Sequence, residues 1–181
     1  TPQEDRIQAE MRLGWDENYL YLVVAVDKAD VVESAVGPSG LWNGDSLQIA
    51  FDPLRNATKD LQGYQDDDYE FAVGLWQGKP VVYMLRAAAA LYDSVDKQLG
   101  VVPSVKSAIR VENGRTVYEL AFPRLLVSPF RLQAGSAMRF SLLVNVNNGR
   151  GRAGWLELTP GIGQTPKQPG NFIDLVLLPE A

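Results

Sequence analysis

The 181-residue chain contains no histidine and no cysteine. That removes the Cys/His zinc site, the Ser-His-Asp triad and the thiolate nucleophile together. Carboxylate acid–base chemistry and all-oxygen metal sites remain open, alongside binding by amides, arginines and four tryptophans. Two of those tryptophans stand outside the apolar alternations. Trp42 in "LWNGDSLQIAFD" lies in an Asn-Gly turn stretch just before a strand pattern, and Trp155 in "NNGRGRAGWLEL" follows a glycine-rich run. A core tryptophan belongs on an apolar strand face with its indole N–H satisfied. Trp42 and Trp155 are expected instead on loops beside strands, among hydrogen-bonding neighbours, with rim packing as the plainer alternative. Trp15 and Trp76 flank strong strand patterns and are assigned to packing.

Other motifs carry less. Asp66, Asp67 and Asp68 in "YQDDDYEF" could offer several oxygens to calcium, which takes six to eight, or could form a solvated acidic turn. Gly149, Gly151 and Gly154 match G-x-G-x-x-G, but "WLELTPG" follows where a dinucleotide site needs a helix, so these glycines are read as turn formers. Arg150 and Arg152 between them are a solvated loop or donors to a polar ligand. Glycoside hydrolysis would need a carboxylate pair meeting in space; Glu70 and Glu119 sit on strands opposite apolar residues and are read as surface-facing.

Positioning such residues falls to strands. Leu20, Leu22, Val24 and Val26 alternate in "NYLYLVVAVD", and Leu47, Ile49 and Phe51 alternate with Ser46, Gln48 and Ala50, the period of a half-buried strand. "YEFAVGLW" and "PVVYMLR" flank Gln77-Gly78-Lys79 as a hairpin, and a second hairpin closes on Asn113-Gly114. "AEMRLGWD", "MRFSLLVNVN" and "NFIDLVLLP" add three more strands. Helical signal is confined to "AAAALYDSVDKQLG" and a short turn near "TKDLQGY". Roughly eight to ten strands joined by turns predict an all-β chain: an antiparallel β-sandwich of jelly-roll or immunoglobulin-like type with little helix. With no repeat and no Pro/Ser-rich linker, residues 1–181 are read as one domain.

Composition narrows the partners. The net charge of −5 argues against nucleic acid and anionic membrane, and no apolar run nears the ~20 residues of a bilayer span. The opening Thr-Pro-Gln-Glu-Asp carries no signal-peptide pattern and no initiator Met, as expected of a processed chain or a piece of a longer one.

Four segments in order, "RLGWDENYLYLVVAVDKAD", "LWNGDSLQIAFD", "TVYELAFPRLLV" and "RFSLLVNVNNGRGRAGWLEL", resemble the family 9 carbohydrate-binding modules and their wider DOMON-related relatives, over about residues 10–178. The resemblance implies a jelly-roll sandwich, an extracellular or periplasmic setting beside polysaccharide-degrading enzymes, and no cofactor beyond structural calcium. It implies a sugar held between two tryptophans, here Trp42 and Trp155. Slightly positive sugar C–H faces would stack on negative indole faces, while polar neighbours fix the hydroxyls. Two positions depart from the family pattern. Gln48 stands where the family carries a carboxylate, and Glu70 where it carries an arginine. Asn145, Asn147 and Arg152 are further polar candidates, with Arg86 behind them.

Three functions follow for comparison: a non-catalytic carbohydrate-binding domain, an accessory sandwich contacting neighbouring domains of a parent protein with sugar binding lost, and a haem-binding periplasmic subunit. The last would need Met11, Met84 or Met138 paired with lysine, since histidine is absent.

Overall fold

The computed structural model describes residues 7–89 and 99–179. Eleven strands run through them: Ala9–Trp15 (β1), Tyr19–Val26 (β2), Ser46–Asp52 (β3), Tyr69–Trp76 (β4), Lys79–Arg86 (β5), Gly100–Val101 (β6), Lys106–Glu112 (β7), Arg115–Pro123 (β8), Ala137–Asn147 (β9), Arg152–Glu157 (β10) and Ile173–Val176 (β11). They form two antiparallel sheets, β1-β2-β8-β7 and β10-β9-β3-β4-β5-β6, with β11 pairing the first half of β9. The all-β sandwich read from the sequence is the observed fold. Eleven strands is one more than the upper end of the expected eight to ten, and the two-residue β6 and six-residue β10 are the ones outside the strand segments named from the sequence. Of the helical reading, the segment beginning at Ala87 falls mostly outside the described residues, and the "TKDLQGY" stretch holds only a turn, in which the Leu61 N–H donates to the Thr58 carbonyl. No helix among the described residues is long and apolar enough to cross a membrane.

Both expected hairpins close on two residues of positive φ, Gln77-Gly78 and Asn113-Gly114, whose handedness matches strand twist. Between the sheets, Phe51, Phe71 and Phe140 from the large sheet meet Phe122 of β8. The Phe51 and Phe122 rings lie edge to face with centroids 5.4 Å apart, a favoured quadrupolar arrangement. Met84 and Met138 are buried in this core and Met11 packs against it, so their thioethers are engaged in packing rather than free for haem.

β3 departs from the half-buried reading: all seven of its residues are buried. Its odd-numbered side chains enter the sandwich core. Its even-numbered face is covered by the segment after β10, where Ile162 and Phe172 pack on Ala50 and Leu143 in a second, smaller apolar cluster with Tyr64. Period two survives there as apolar against small or polar, with water excluded from both faces. Cutting Phe122 to alanine empties the inter-sheet aromatic cluster and is expected to cost about 3–5 kcal/mol in chemical denaturation, with the m-value unchanged.

Candidate functional site

The outer face of the large sheet carries the candidate residues, at the end where β3, β9 and β10 lie side by side. β10 pairs with β9 so that Arg152 faces Asn147, Trp155 faces Asn145 and Glu157 faces Leu143. Arg152 and Trp155 are three residues apart, which in a regular strand puts them on opposite faces. A bulge between Arg152 and Gly154 shifts the register and returns both to one face. Trp155 is therefore not on a loop, as its glycine-rich approach implied, but within a strand. The glycines did supply turn geometry: Gly149 and Gly151 have φ of 85° and 135°.

Trp42 reaches the same end from a 3₁₀ turn, Pro38–Asn43, in which Leu41 is buried and Trp42 points outward. Trp42 is 44% exposed and Trp155 51% exposed. The Arg152 guanidinium carbon is 4.4 Å from the Trp155 ring centroid and 6.0 Å from that of Trp42, so the two centroids lie no more than about 10.4 Å apart. Rings 113 residues apart in sequence thus converge on one cation. Gly163 stands behind Trp155, and a Cβ there would come within 2.6 Å of the indole Nε1. Glycine is what lets the covering segment approach the ring this closely.

Beside the rings lies a chain of buried amides and charges. Gln48 Nε2 donates to Glu70 Oε1 at 2.7 Å, and Lys167 Nζ donates to the same oxygen at 3.1 Å. Asn145 Nδ2 donates to Gln48 Oε1 at 3.2 Å and to Ser46 Oγ at 3.1 Å. Asn145 Oδ1 is buried without a partner, as is the Tyr64 hydroxyl beside Glu70. Burial, then the Glu70 charge, pushes the Tyr64 phenol well above its ordinary pKa, so it stays a neutral donor.

Several sequence expectations change. Glu70 is buried and paired with Lys167, not surface-facing, because the covering segment lies over β4 as well. Glu119 is on the other sheet, paired with Arg110, so the two glutamates do not form a pair. Arg86 leaves the site: its Nη2 donates to the Gln65 carbonyl at 2.8 Å and sits 3.7 Å from Asp66, so it braces the loop before β4. Asn147 is consumed structurally, its amide donating to the Asn43 carbonyl and its oxygen accepting from Gly149. Lys167, Tyr64 and Ser46 were missed. Lys167 lies in a proline-rich loop with no motif around it, and only the fold brings it to Glu70.

Asp45 sets where the Trp42 turn stands. Its buried carboxylate accepts Lys28 Nζ at 2.6 Å, the Val32 N–H at 2.7 Å and the Asn147 N–H at 2.8 Å. One side chain thus ties the turn to the segment after β2 and to the last residue of β9. Gly44 beside it packs against backbone, where a Cβ would stand 2.5 Å from the Ser34 nitrogen.

Residues 1–177 match the family described as carbohydrate family 9 binding domain-like. The chain belongs to this family. It is 27% identical over 171 residues to endo-1,4-beta-xylanase A of Thermotoga maritima, a match covering 94% of this chain and 14% of the xylanase. In fold it is similar to a family 9 carbohydrate-binding module of Caldicellulosiruptor kristjanssonii solved with glucose (TM-score 0.71, 16% identity, 99% of this chain and 81% of that one) and with cellotriose (0.71, 18%, 99% and 80%). A carbohydrate-binding protein structure from Bacteroides uniformis is also similar (TM-score 0.61, 15% identity, 94% and 78%). At these identities the solved structures speak to the fold.

For this family 9 chain the metal residues also shift. Asp66 turns outward, its side chain 95% exposed, whereas Asp52 joins Asp67 and Asp68 with carboxylate oxygens within 4.8 Å of one another. The β3–β4 register explains the exchange: Phe51 faces Tyr69, which sets Asp52 at the end of β3 next to Asp68. Asp67 accepts the Leu54 N–H and the Asn56 amide, and Asp68 Oδ2 accepts the Gln65 N–H, while Asp68 Oδ1 is buried without a partner. Three clustered carboxylates with a free buried oxygen fit a hard cation.

Replacing Asp45 with alanine removes the buried partner of Lys28, leaving it only the exposed Asp30, and leaves two N–H groups unpaired. Loss of about 3 kcal/mol is expected, a fall in melting temperature of roughly 6–12 °C in calorimetry.

Proposed function

We propose that this chain is a non-catalytic sugar-binding module that takes a saccharide ring between Trp42 and Trp155. The observation that carries the reading is the convergence of two half-exposed indoles on the Arg152 guanidinium, with ring centroids no more than about 10.4 Å apart. Solvent-exposed aromatic faces of this kind bury the apolar faces of sugars. Gln48 remains held by Glu70 and Asn145, so it fixes the binding face instead of moving to meet the ligand. The glucose and cellotriose complexes of the Caldicellulosiruptor module and the xylanase relative agree with this reading, and an exported setting where polysaccharide is met goes with it. The accessory-domain alternative has no comparable observation in its favour. In a titration with glucose and cello-oligosaccharides, Trp42→Ala is expected to abolish the tryptophan fluorescence change while shifting stability by under about 1 kcal/mol. Binding by the variant as tight as by the parent chain would remove the reading.

A second reading concerns the acidic cluster: Asp52, Asp67 and Asp68 hold a structural calcium ion. The free buried Asp68 oxygen favours it. Burial, then the charges of Asp52 and Asp67, pushes the Asp68 carboxyl up to about 7. In chelator the folded chain therefore binds more protons than the unfolded chain between about pH 4 and 7, so stability should rise as pH falls through 7. Bound calcium neutralises the cluster and reverses the preference. Melting in chelator is expected to climb from about pH 8 to pH 5, and added calcium at pH 8 should raise it. Asp68→Asn should reproduce the acid effect and blunt the calcium response. An absent calcium shift at pH 8 would dismiss the site.

A further inference from the structure

We propose that the saccharide this site prefers carries a carboxylate, a uronic acid, and that Arg152 is the residue that selects it. The inference rests on the sugar-binding reading above and sharpens it. Arg152 lies against both indoles, its guanidinium carbon 4.4 Å from the Trp155 ring centroid and 6.0 Å from that of Trp42, and its Nε and Nη2 are buried and make no hydrogen bond. Among the described residues no carboxylate comes within ion-pair distance of it. Glu157, whose charge Arg152 feels, takes the Ile162 and Gly163 N–H groups on Oε1 and makes no ion pair with it. The half-buried guanidinium is thus held by indole faces with two shielded donors unpaired, an arrangement that a ligand anion would complete.

The two idle donors are the pair that grips a carboxylate side-on. Arg55 in the same chain shows the arrangement: its Nε and Nη2 donate to the two oxygens of Asp174 at 3.1 and 3.0 Å. Arg152 offers the same edge with no partner, beside the indoles on which a ring would stack. In a uronic acid the carboxylate stands on the ring carbon next to the ring oxygen, so a ring on the indoles can present it to Arg152. A guanidinium lifted off the Trp155 ring opens both donors to that carboxylate, and the side-on, charge-assisted pair is the strong form of this contact. Hydroxyls of a neutral sugar would satisfy the N–H groups but leave the charge uncompensated. The neighbouring lysine on this face, Lys167, is paired with Glu70.

Calorimetric titration of the full chain at neutral pH with glucose, glucuronate and acetate tests this. Glucuronate is expected to bind roughly tenfold or more tightly than glucose at low salt, with the margin shrinking as sodium chloride is added, and acetate is expected to bind undetectably. Arg152→Gln should abolish the margin of glucuronate over glucose when both are titrated into the same variant. Arg152→Lys, which keeps the charge and loses the fork, should retain only part of the margin. Glucose binding as tightly as glucuronate, or a margin undiminished in Arg152→Gln, would overturn the inference while leaving sugar binding in place. Acetate binding as well as glucuronate would mark a plain anion site and overturn it too. If neither saccharide binds, both the inference and the proposed function fall.

Discussion

Everything at the tryptophan end of the molecule depends on a single buried carboxylate. Asp45 stands at the junction of a 3₁₀ turn and a central strand, and its two oxygens are shared among a lysine and two backbone N–H groups from separate parts of the chain. A carboxylate so placed must be fully bonded or it will not stay buried. Its geometry therefore fixes the turn carrying Trp42 against the end of β9, from which β10 departs with Arg152 and Trp155. The distance between the indoles is inherited from this node and from one β-bulge, both of them rigid features of sheet and turn. Neither ring sits on a long loop whose ordering would oppose ligand capture.

The large sheet works on both faces, and this explains its unusual burial. One face contributes aromatics to the sandwich core. The other is closed along part of its length by the segment from Leu158 to Phe172 and left open at the end where the tryptophans stand. Where the cover is present, polar side chains of β3, β4 and β9 must find partners among themselves. Gln48, Glu70, Asn145 and Lys167 do so in one chain of hydrogen bonds. The polar face next to the indoles is consequently stiff, and the groups left unpaired there are Asn145 Oδ1, the Tyr64 hydroxyl and two nitrogens of Arg152.

Most of the strand order was legible because alternation and the two hairpin turns are local properties, read from side-chain type alone. Both tryptophans were also recognisable as misplaced for a core. Their convergence was not legible, since it follows from register: a bulge of one residue decides which face Arg152 presents. Asp66 was read as a metal candidate and Asp52 was not, because adjacency in sequence stood in for adjacency across a strand pair. Lys167 carries no local signal at all. It gains meaning only from Glu70, 97 residues away, and long-range ion pairs of this kind leave no trace in composition or spacing.

Separating the core aromatics from the exposed ones also separates stability from recognition. Phe51, Phe71, Phe122 and Phe140 hold the sheets together through mutual ring contacts in the sandwich core, on the face of the large sheet away from the indoles. Changes at the ligand face can then alter what is bound without loosening the sandwich. On that face Lys167 balances Glu70, while Arg152 beside the rings has no ion-pair partner among the described residues. Under the proposed reading, selectivity follows from which cation is left without an internal anion.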